Sequence, residues 1–388
     1  MASTAPAPRQ GGLLIGSGAL LWGLQFAFLN PTIGLLLVVL YDATPGQVGW
    51  SLMAYNVSGF LSTLVVPVRA DRRGDYLRPM LWCGVLTVAL VTALAAATTL
   101  PMAVVALVAL GGPAGVGIGL LFAHQRHVGA SDREVMRTRA MFSFAWVAGP
   151  PLAAFIVGFA GNRAILATVA LVALLTIGTT TVMIRQRTRA GLPLQPAASG
   201  ERMLEVVARP QILVLVAAFV LLQSANFAAV SITTLYVTAH LGLDPLWGGA
   251  ALGTAAALEI PALLLLGRLT ERVRGSRLVM GAAVAGLGYN VAMALLTGPV
   301  ALLAVQLLNA AFVAGVAGVG LTLFQRVVPR PGLASGLFMN TTRIGAILSG
   351  ALIAVAGLPG LGYPSVFVAS ALVTAAGGGL VVLAVRVR

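Results

Sequence analysis

The sequence contains no lysine, a single cysteine and ten acidic residues, and only 9% of its side chains are charged. Each scarcity excludes something. One cysteine, Cys83, rules out an internal disulfide and a cysteine-based metal cluster. The three histidines, His124, His127 and His240, show no metal-ligand spacing, so neither a metal nor another cofactor is expected. A charged fraction of 9% stands against about 25% in a soluble domain, which excludes an ordinary aqueous globule. What the chain has instead is apolar surface: 59% of its 388 residues are hydrophobic. They come in repeated runs of about 20 residues, the length a helix needs to cross a bilayer and too long for barrel strands. All 24 basic residues are arginine, in a composition rich in Ala, Gly and Val that fits high-GC coding, and the net charge is +14. That charge does not describe a phosphate-binding face, because the arginines lie in short loops between apolar runs. No nucleic-acid partner is expected. The start, MASTAPAPRQGG, is a short polar tail, and the first apolar run is too long for a cleavable signal.

Twelve membrane-spanning helices are predicted, at 13–38, 47–68, 79–99, 101–123, 135–159, 163–184, 210–238, 246–267, 278–297, 299–324, 334–356 and 364–385. The intervening loops alternate in charge. One set holds Arg69, Arg72, Arg73 and Arg78, then Arg126, Arg133, Arg137 and Arg139, and continues through the 185–209, 268–277 and 326–330 segments. Apart from Arg163 and Arg343, every arginine belongs to this side, so both termini are expected in the cytoplasm of a multi-pass protein of the bacterial cytoplasmic membrane. The 185–209 segment is the only long polar interruption. It divides the chain into an N-terminal six-helix bundle (1–188), a cytoplasmic linker (189–209) and a C-terminal six-helix bundle (210–388). The halves echo each other at an offset near 200 residues: Gln125-Arg126 falls on Gln325-Arg326, and Gly117–Leu120 on Gly318–Leu321. A duplicated six-span unit implies two bundles that rock around a central site.

Glu259 lies in the middle of LGTAAALEIPALLLL (252–266), with no other charge between Asp244 and Arg268. A charge at mid-bilayer costs about 2.5–3.5 kcal/mol on insertion scales, so such a residue is expected to face a partner or a wet cavity. Glu259 and Arg343 each sit eight or nine residues from the arginine-rich ends of their spans, about 12–14 Å deep at 1.5 Å per residue. A carboxyl group wetted alternately from either side can load a proton outside and release it inside. Glu259, with Arg343 and Arg139, is therefore the expected proton-coupling set, and the alternative is a permanent Glu259–Arg ion pair that fixes helix packing. The candidate solute-binding groups are the polar residues of otherwise apolar spans: Gln25, Asn30, Asn56, Trp146, Gln223, Asn226, Asn309 and Asn340. They would offer a small polar solute hydrogen bonds and an aromatic face, although Asn and Gln also serve as glue between helices. Gly111 to Gly119, GGPAGVGIG, is read as close helix packing rather than a nucleotide loop, because no strand precedes it.

The first short loop of each half carries an acid, an arginine and a glycine turn: Asp71-Arg72-Arg73-Gly74 in one, and Gly267, Glu271-Arg272 and Gly275 in the other. An acid there can meet the positive end of a neighbouring helix and latch that face. Ser131-Asp-Arg-Glu134 has the pattern of a capping box and predicts a helix start near 132, and Gly149-Pro150 is expected to bend that helix. Asp71, Arg72, Gly74, Glu271, Arg272, Gly149 and Pro150 are the candidate gating residues.

These loops resemble the signature loop of the major facilitator superfamily, with Pro67 where its first Gly belongs, Asp75 where a basic residue is usual, and Glu271 for Asp in the second copy. Gly149-Pro150 resembles the antiporter motif of that superfamily's exporters. The segments FSFAWVAGPPLA (142–153), LGTAAALEIPALL (252–264), LLNAAF (307–312) and LFMNTTRIGAILSG (337–350) resemble the sugar efflux transporter family within it, apart from Met141 where Gln is expected. The resemblance implies an all-α major facilitator fold of two pseudo-symmetric bundles. It also implies proton-driven export of sugars or their analogues by a monomer. The rival within the class is proton-driven efflux of drugs or other small metabolites, which Met141 leaves open. Outside it are a non-transporting membrane sensor, for which no signalling domain is seen, and an enzyme, for which no nucleophile–base set is seen.

Overall fold

The computed structural model describes residues 12–191, 194, 196 and 203–386. Its regular structure is helical throughout, and no strand occurs among the described residues. The first six long helices are α1 Gly12–Tyr41, α2 Pro45–Arg73, α3 Leu77–Ala96, α4 Leu100–His127, α5 Asp132–Ala160 and α6 Asn162–Arg189. The second six are α7 Pro210–His240, α8 Pro245–Leu269, α9 Gly275–Ala294, α10 Pro299–Val327, α11 Pro331–Gly357 and α12 Pro364–Arg386. A short helix, Met203–Val207, precedes α7; residues 192, 193, 195 and 197–202 of the expected linker lie outside the described residues. Among the described residues eleven helical stretches are long and apolar enough to cross a bilayer, one in each long helix except α5. α5 carries its charges from Asp132 to Arg139 and is uncharged beyond.

Several helices run past the predicted ends on the arginine-rich side: α2 to Arg73, α4 to His127 and α6 to Arg189. Apolar periodicity marks the lipid-facing length, whereas a helix stops at its cap. α2 starts at a capping box in which the Gln47 backbone N–H donates to Thr44 Oγ1 and the Thr44 N–H to Gln47 Oε1. It stops at Gly74, whose φ of 64° suits glycine best. α5 starts where the sequence predicts. The Ser131 N–H donates to Glu134 Oε2 at 2.8 Å, and the Glu134 N–H returns to Ser131 Oγ at 3.3 Å.

Contacts group the chain into two units, Met1–Val128 with Phe144–Ala197, and Gly129–Ser143 with Ala198–Arg388. α5 is thus shared. A boundary at the linker assigns all of it to the first half, whereas the contacts of 129–143 are with the second unit. Within the first unit α6 packs on α1 and α3; within the second α12 packs on α7 and α9, and α11 on α7. Lipid offers little to drive apolar helices together, so such interfaces rely on small residues that let backbones approach. A Cβ added to Gly117 of α4 would stand 2.1 Å from the Trp22 ring of α1. In the second unit a Cβ on Gly320 of α10 would stand 2.2 Å from the Phe219 ring of α7. A buried tyrosine recurs as well: Tyr41 Oη of α1 donates to the Leu94 carbonyl of α3, and Tyr236 Oη of α7 to the Met293 carbonyl of α9. The fourth helix of each unit also widens into π-helical turns, at Leu107–Gly111 in α4 and Ala314–Val319 in α10.

Candidate functional site

A small hollow with a free volume of about 20 Å³, room for about one water, opens inside the first unit, bordered by α1 to α4. Its polar rim is Trp22, Gln25 and Asn30 of α1, Tyr55 of α2 and Thr87 of α3. Trp22 and Gln25 are one turn apart on α1 and both are buried. The Gln25 amide donates from Nε2 to Thr176 Oγ1 at 2.6 Å, which orients the side chain and leaves Oε1 as its spare atom. Gln25 Oε1 and the Trp22 indole Nε1 are both buried without a hydrogen-bond partner. One acceptor and one donor therefore border the same hollow unsatisfied, a state that native interiors avoid unless a ligand or water completes it.

Of the expected solute-binding residues, the first unit brings Gln25 and Asn30 together there. Asn56 instead donates from Nδ2 to the Leu52 carbonyl of its own helix at 2.8 Å. Trp146 is partly exposed and does not border the hollow. The sequence reading missed Trp22. Its signal was a tryptophan three residues before Gln25, on the same helical face.

In the second unit, Gln223 Nε2 of α7 donates to Thr342 Oγ1 of α11 at 3.1 Å and joins the two helices. Asn309 Nδ2 donates to Gln306 Oε1 at 3.1 Å, and Gln306 Nε2 to the Leu302 carbonyl at 3.0 Å, so this chain of bonds stays within α10. Asn226 Oδ1 is buried without a partner, and Asn340 is buried on α11 one turn from the half-buried Arg343.

Glu259 of α8 is half-buried, and the Ser143 hydroxyl of α5 donates to its Oε1 at 2.8 Å. Arg139 lies one turn before Ser143; its guanidinium sits 4.8 Å over the Phe142 ring and interacts with the Glu259 charge. Arg139 Nε is buried and makes no hydrogen bond. Among the described residues no arginine stands at ion-pair distance from Glu259, so the permanent ion pair weighed from the sequence is not formed. Arg343 is not its salt-bridge partner. Met136, one turn before Arg139, packs against Gly267 of α8 and Gly318 of α10, which seats the first half of α5 on those helices.

The two loops with an acid, an arginine and a glycine differ in their bonding. In the first, Asp71 is buried and accepts from Tyr76 Oη at 2.6 Å. Burial, followed by the neighbouring Asp71 charge, pushes the Tyr76 phenol up. Asp75 pairs with Arg187 at 2.9 Å and with Arg78 at 3.5 Å. Burial alone would raise the Asp75 carboxyl; the hydrogen bonds from Arg187 and the Arg78 backbone, with both positive charges, hold it below the usual carboxylate range. Arg72 is exposed. In the second loop, Glu271 pairs with Arg133 of α5 at 3.2 Å and Arg272 is exposed. Asp132, beside Arg133, pairs with Arg326 at the end of α10. Gly149 serves close packing: a Cβ there would lie 2.3 Å from Ala27 Cβ of α1. The side chain of Pro150 lies outside the described residues.

Residues 15–348 match the family model of the Major Facilitator Superfamily. A bacterial homologue of the iron transporter ferroportin in its outward-facing state superposes with a TM-score of 0.77 at 17% identity, over 97% of this chain and 99% of that one. The transporter FucP in its outward conformation gives 0.76 at 15% identity, over 96% and 98%. The chain belongs to the Major Facilitator Superfamily: it is a multi-pass membrane transporter, and not an enzyme. Sugar efflux transporter A of Dickeya chrysanthemi is 35% identical over 348 residues, 86% of either chain. Sugar efflux transporter B of Salmonella typhimurium is 32% identical over 346 residues, 87% of this chain and 86% of that one. Within the superfamily, this chain belongs to the family of the sugar efflux transporters.

Proposed function

We propose that the protein exports a sugar or a sugar analogue across the bacterial cytoplasmic membrane in exchange for protons, by alternating access, as a monomer of two six-helix halves. The observation that carries the reading is the unsatisfied pair bordering the hollow of the first unit, the Trp22 N–H and Gln25 Oε1. A sugar hydroxyl both accepts and donates, so it is the kind of group that can satisfy an acceptor and a donor of this sort. Asn30 and Tyr55 extend the same rim. The names of the relatives support the substrate class. The arginine bias of the loops supports cytoplasmic termini.

Glu259 carries the proton in this scheme. Its carboxylate accepts from Ser143, and a protonated carboxyl donates to the same hydroxyl, so the contact holds in both states while the charge changes. Arg139 supplies a positive charge beside it, and Arg343 completes the proposed coupling set. The Arg133–Glu271 and Asp132–Arg326 pairs, with Arg272, latch the arginine-rich face, and the Asp71-Arg72-Arg73-Gly74 turn keeps its own hairpin rigid.

Proteoliposomes test both parts. Glu259→Gln keeps solute binding and loses pH-driven accumulation; proton-driven transport at the wild-type rate in that variant removes Glu259 from the mechanism. A thermal-shift screen against sugars, drugs and amino-acid derivatives tests the substrate class. Stabilisation by non-sugars alone overturns the sugar reading.

A further inference from the structure

We infer that the first unit holds a dedicated site for an anionic phospholipid in a cleft between α2 and α3, at the arginine-rich end and apart from the solute hollow. The cleft is open to its surroundings and has a free volume of about 220 Å³. Its α2 wall is Val66, Arg69, Ala70 and Arg73, spaced i, i+3, i+4, i+7 and therefore a single helical stripe. Its α3 wall repeats the spacing with Pro79, Trp82, Cys83 and Leu86, and Pro113 of α4 is also part of the lining. The cleft is thus apolar along its depth and doubly cationic along one wall.

The charge on that wall has no partner among the described residues. Arg69 and Arg73 are both exposed and lie four residues apart on one face, where like charges repel. Among the described residues neither makes a hydrogen bond or an ion pair. The two acids of the adjoining hairpin are committed elsewhere, Asp71 to Tyr76 and Asp75 to Arg187 and Arg78. An external anion lying between them would relieve the repulsion. Trp82 is 66% exposed beside it, and tryptophan settles at the headgroup level of a membrane. A phosphodiester with attached acyl chains fits both walls: the phosphate bridges the two guanidinium groups, while the chains lie over Trp82, Leu86 and Val66. The site is independent of the sugar reading and of Glu259.

The test uses the purified full-length protein, delipidated in detergent and titrated with dioleoyl-phosphatidylglycerol or dioleoyl-phosphatidylcholine under native mass spectrometry. The wild type retains one phosphatidylglycerol in preference to phosphatidylcholine. Arg69→Gln/Arg73→Gln binds it about 30-fold more weakly, from two charges at about 1 kcal/mol each. The charge-matched control Arg274→Gln/Arg277→Gln keeps wild-type binding. Equal retention by the Arg69/Arg73 variant, equal loss in the control, or equal binding of the two lipids by the wild type each overturns the site. So does occupancy by inorganic phosphate that displaces the lipid. If the Arg69/Arg73 variant does not fold, brominated phosphatidylglycerol decides the matter on folded protein: it quenches wild-type tryptophan fluorescence and quenches Trp82→Phe less. Equal quenching in both overturns the proposal.

Discussion

The two copies of the hairpin after the second helix of each unit handle their acids in opposite ways. In the first unit Asp71 and Asp75 turn inward; the Arg187–Asp75 pair is only 12% and 5% exposed, and Tyr76 covers Asp71. In the second unit Glu271 faces outward and meets Arg133 with both side chains substantially exposed, at 53% and 37%. Breaking a buried pair leaves an uncompensated charge, which costs about 3–5 kcal/mol, whereas an exposed pair is worth about 0–1 kcal/mol. The same loop has become a rigid brace in one copy and an easily released contact in the other. The second copy carries no acid after Glu271, so the buried brace rests on Asp75, which only the first copy has.

A second difference separates α1 from α7. Trp22 brings an indole N–H to a hollow, whereas Phe219 is locked edge-on against Phe324 and Phe338, with ring centroids 5.2 and 6.1 Å away. The first unit keeps space and spare hydrogen-bonding capacity where the second keeps an aromatic plug.

The largest effect expected from this contrast is on the brace. Arg187→Ala should lower stability by about 1.5–3 kcal/mol, because Arg78 stays beside Asp75, read as a loss of melting temperature in detergent with solute specificity unchanged. Wild-type melting in that variant would mean that burial does not distinguish the hairpins. The brace also gives a pH signature. Because the folded Asp75 carboxyl is held below its ordinary value, its stabilisation is fully present above an unfolded carboxylate pKa of about 3.9. It is lost as pH falls through the lower folded value. The stability gap between wild type and Asp75→Asn should therefore be flat from pH 8 to 5 and close only under strong acid. Next in size, Trp22→Phe preserves most of the ring but deletes the spare donor. Sugar binding should weaken by about 1 kcal/mol, roughly fivefold, in a calorimetric titration, with a modest loss of melting temperature from the void the smaller ring leaves. An equal loss of affinity in Phe219→Leu would erase the distinction between α1 and α7. The smallest effect belongs to the released contact: Glu271→Ala should cost less than about 1 kcal/mol of stability, and high salt should mimic it.

Much of this was legible in the sequence because scarcity made it so. With few polar residues in the spans, apolar windows located the helices, the arginine loops and the echo between halves marked the duplication, and Ser131 with Glu134 marked the start of α5. Glu259 stood out for the same reason, as a carboxyl group in an apolar run. Other features depend on which helices meet, which one chain's periodicity does not encode. Ser143 looks like any small polar residue until α5 lies against α8. Asp75 read as a departure from a loop pattern until α6 delivered Arg187 to it. The spare Trp22 N–H shows only once its surroundings are known, and so do the bonds that Asn56 and Asn309 each make within their own helices while Asn309 Oδ1 stays unsatisfied. The grouping of 129–143 with the second unit is likewise a matter of contacts, invisible to a boundary drawn at a polar linker.

The wide turns at Leu107–Gly111 and Ala314–Val319 have a consequence for how this chain tolerates change in length. A π-helical turn accommodates one residue more than a regular turn while the flanking faces keep their alignment. Losing a single codon inside either turn would collapse it to an ordinary coil and leave Gly117 against Trp22, or Gly320 against Phe219. The same loss in the regular body of α7 would swing every side chain beyond it by about 100°. Natural length variation in these helices should therefore collect at the two widened turns.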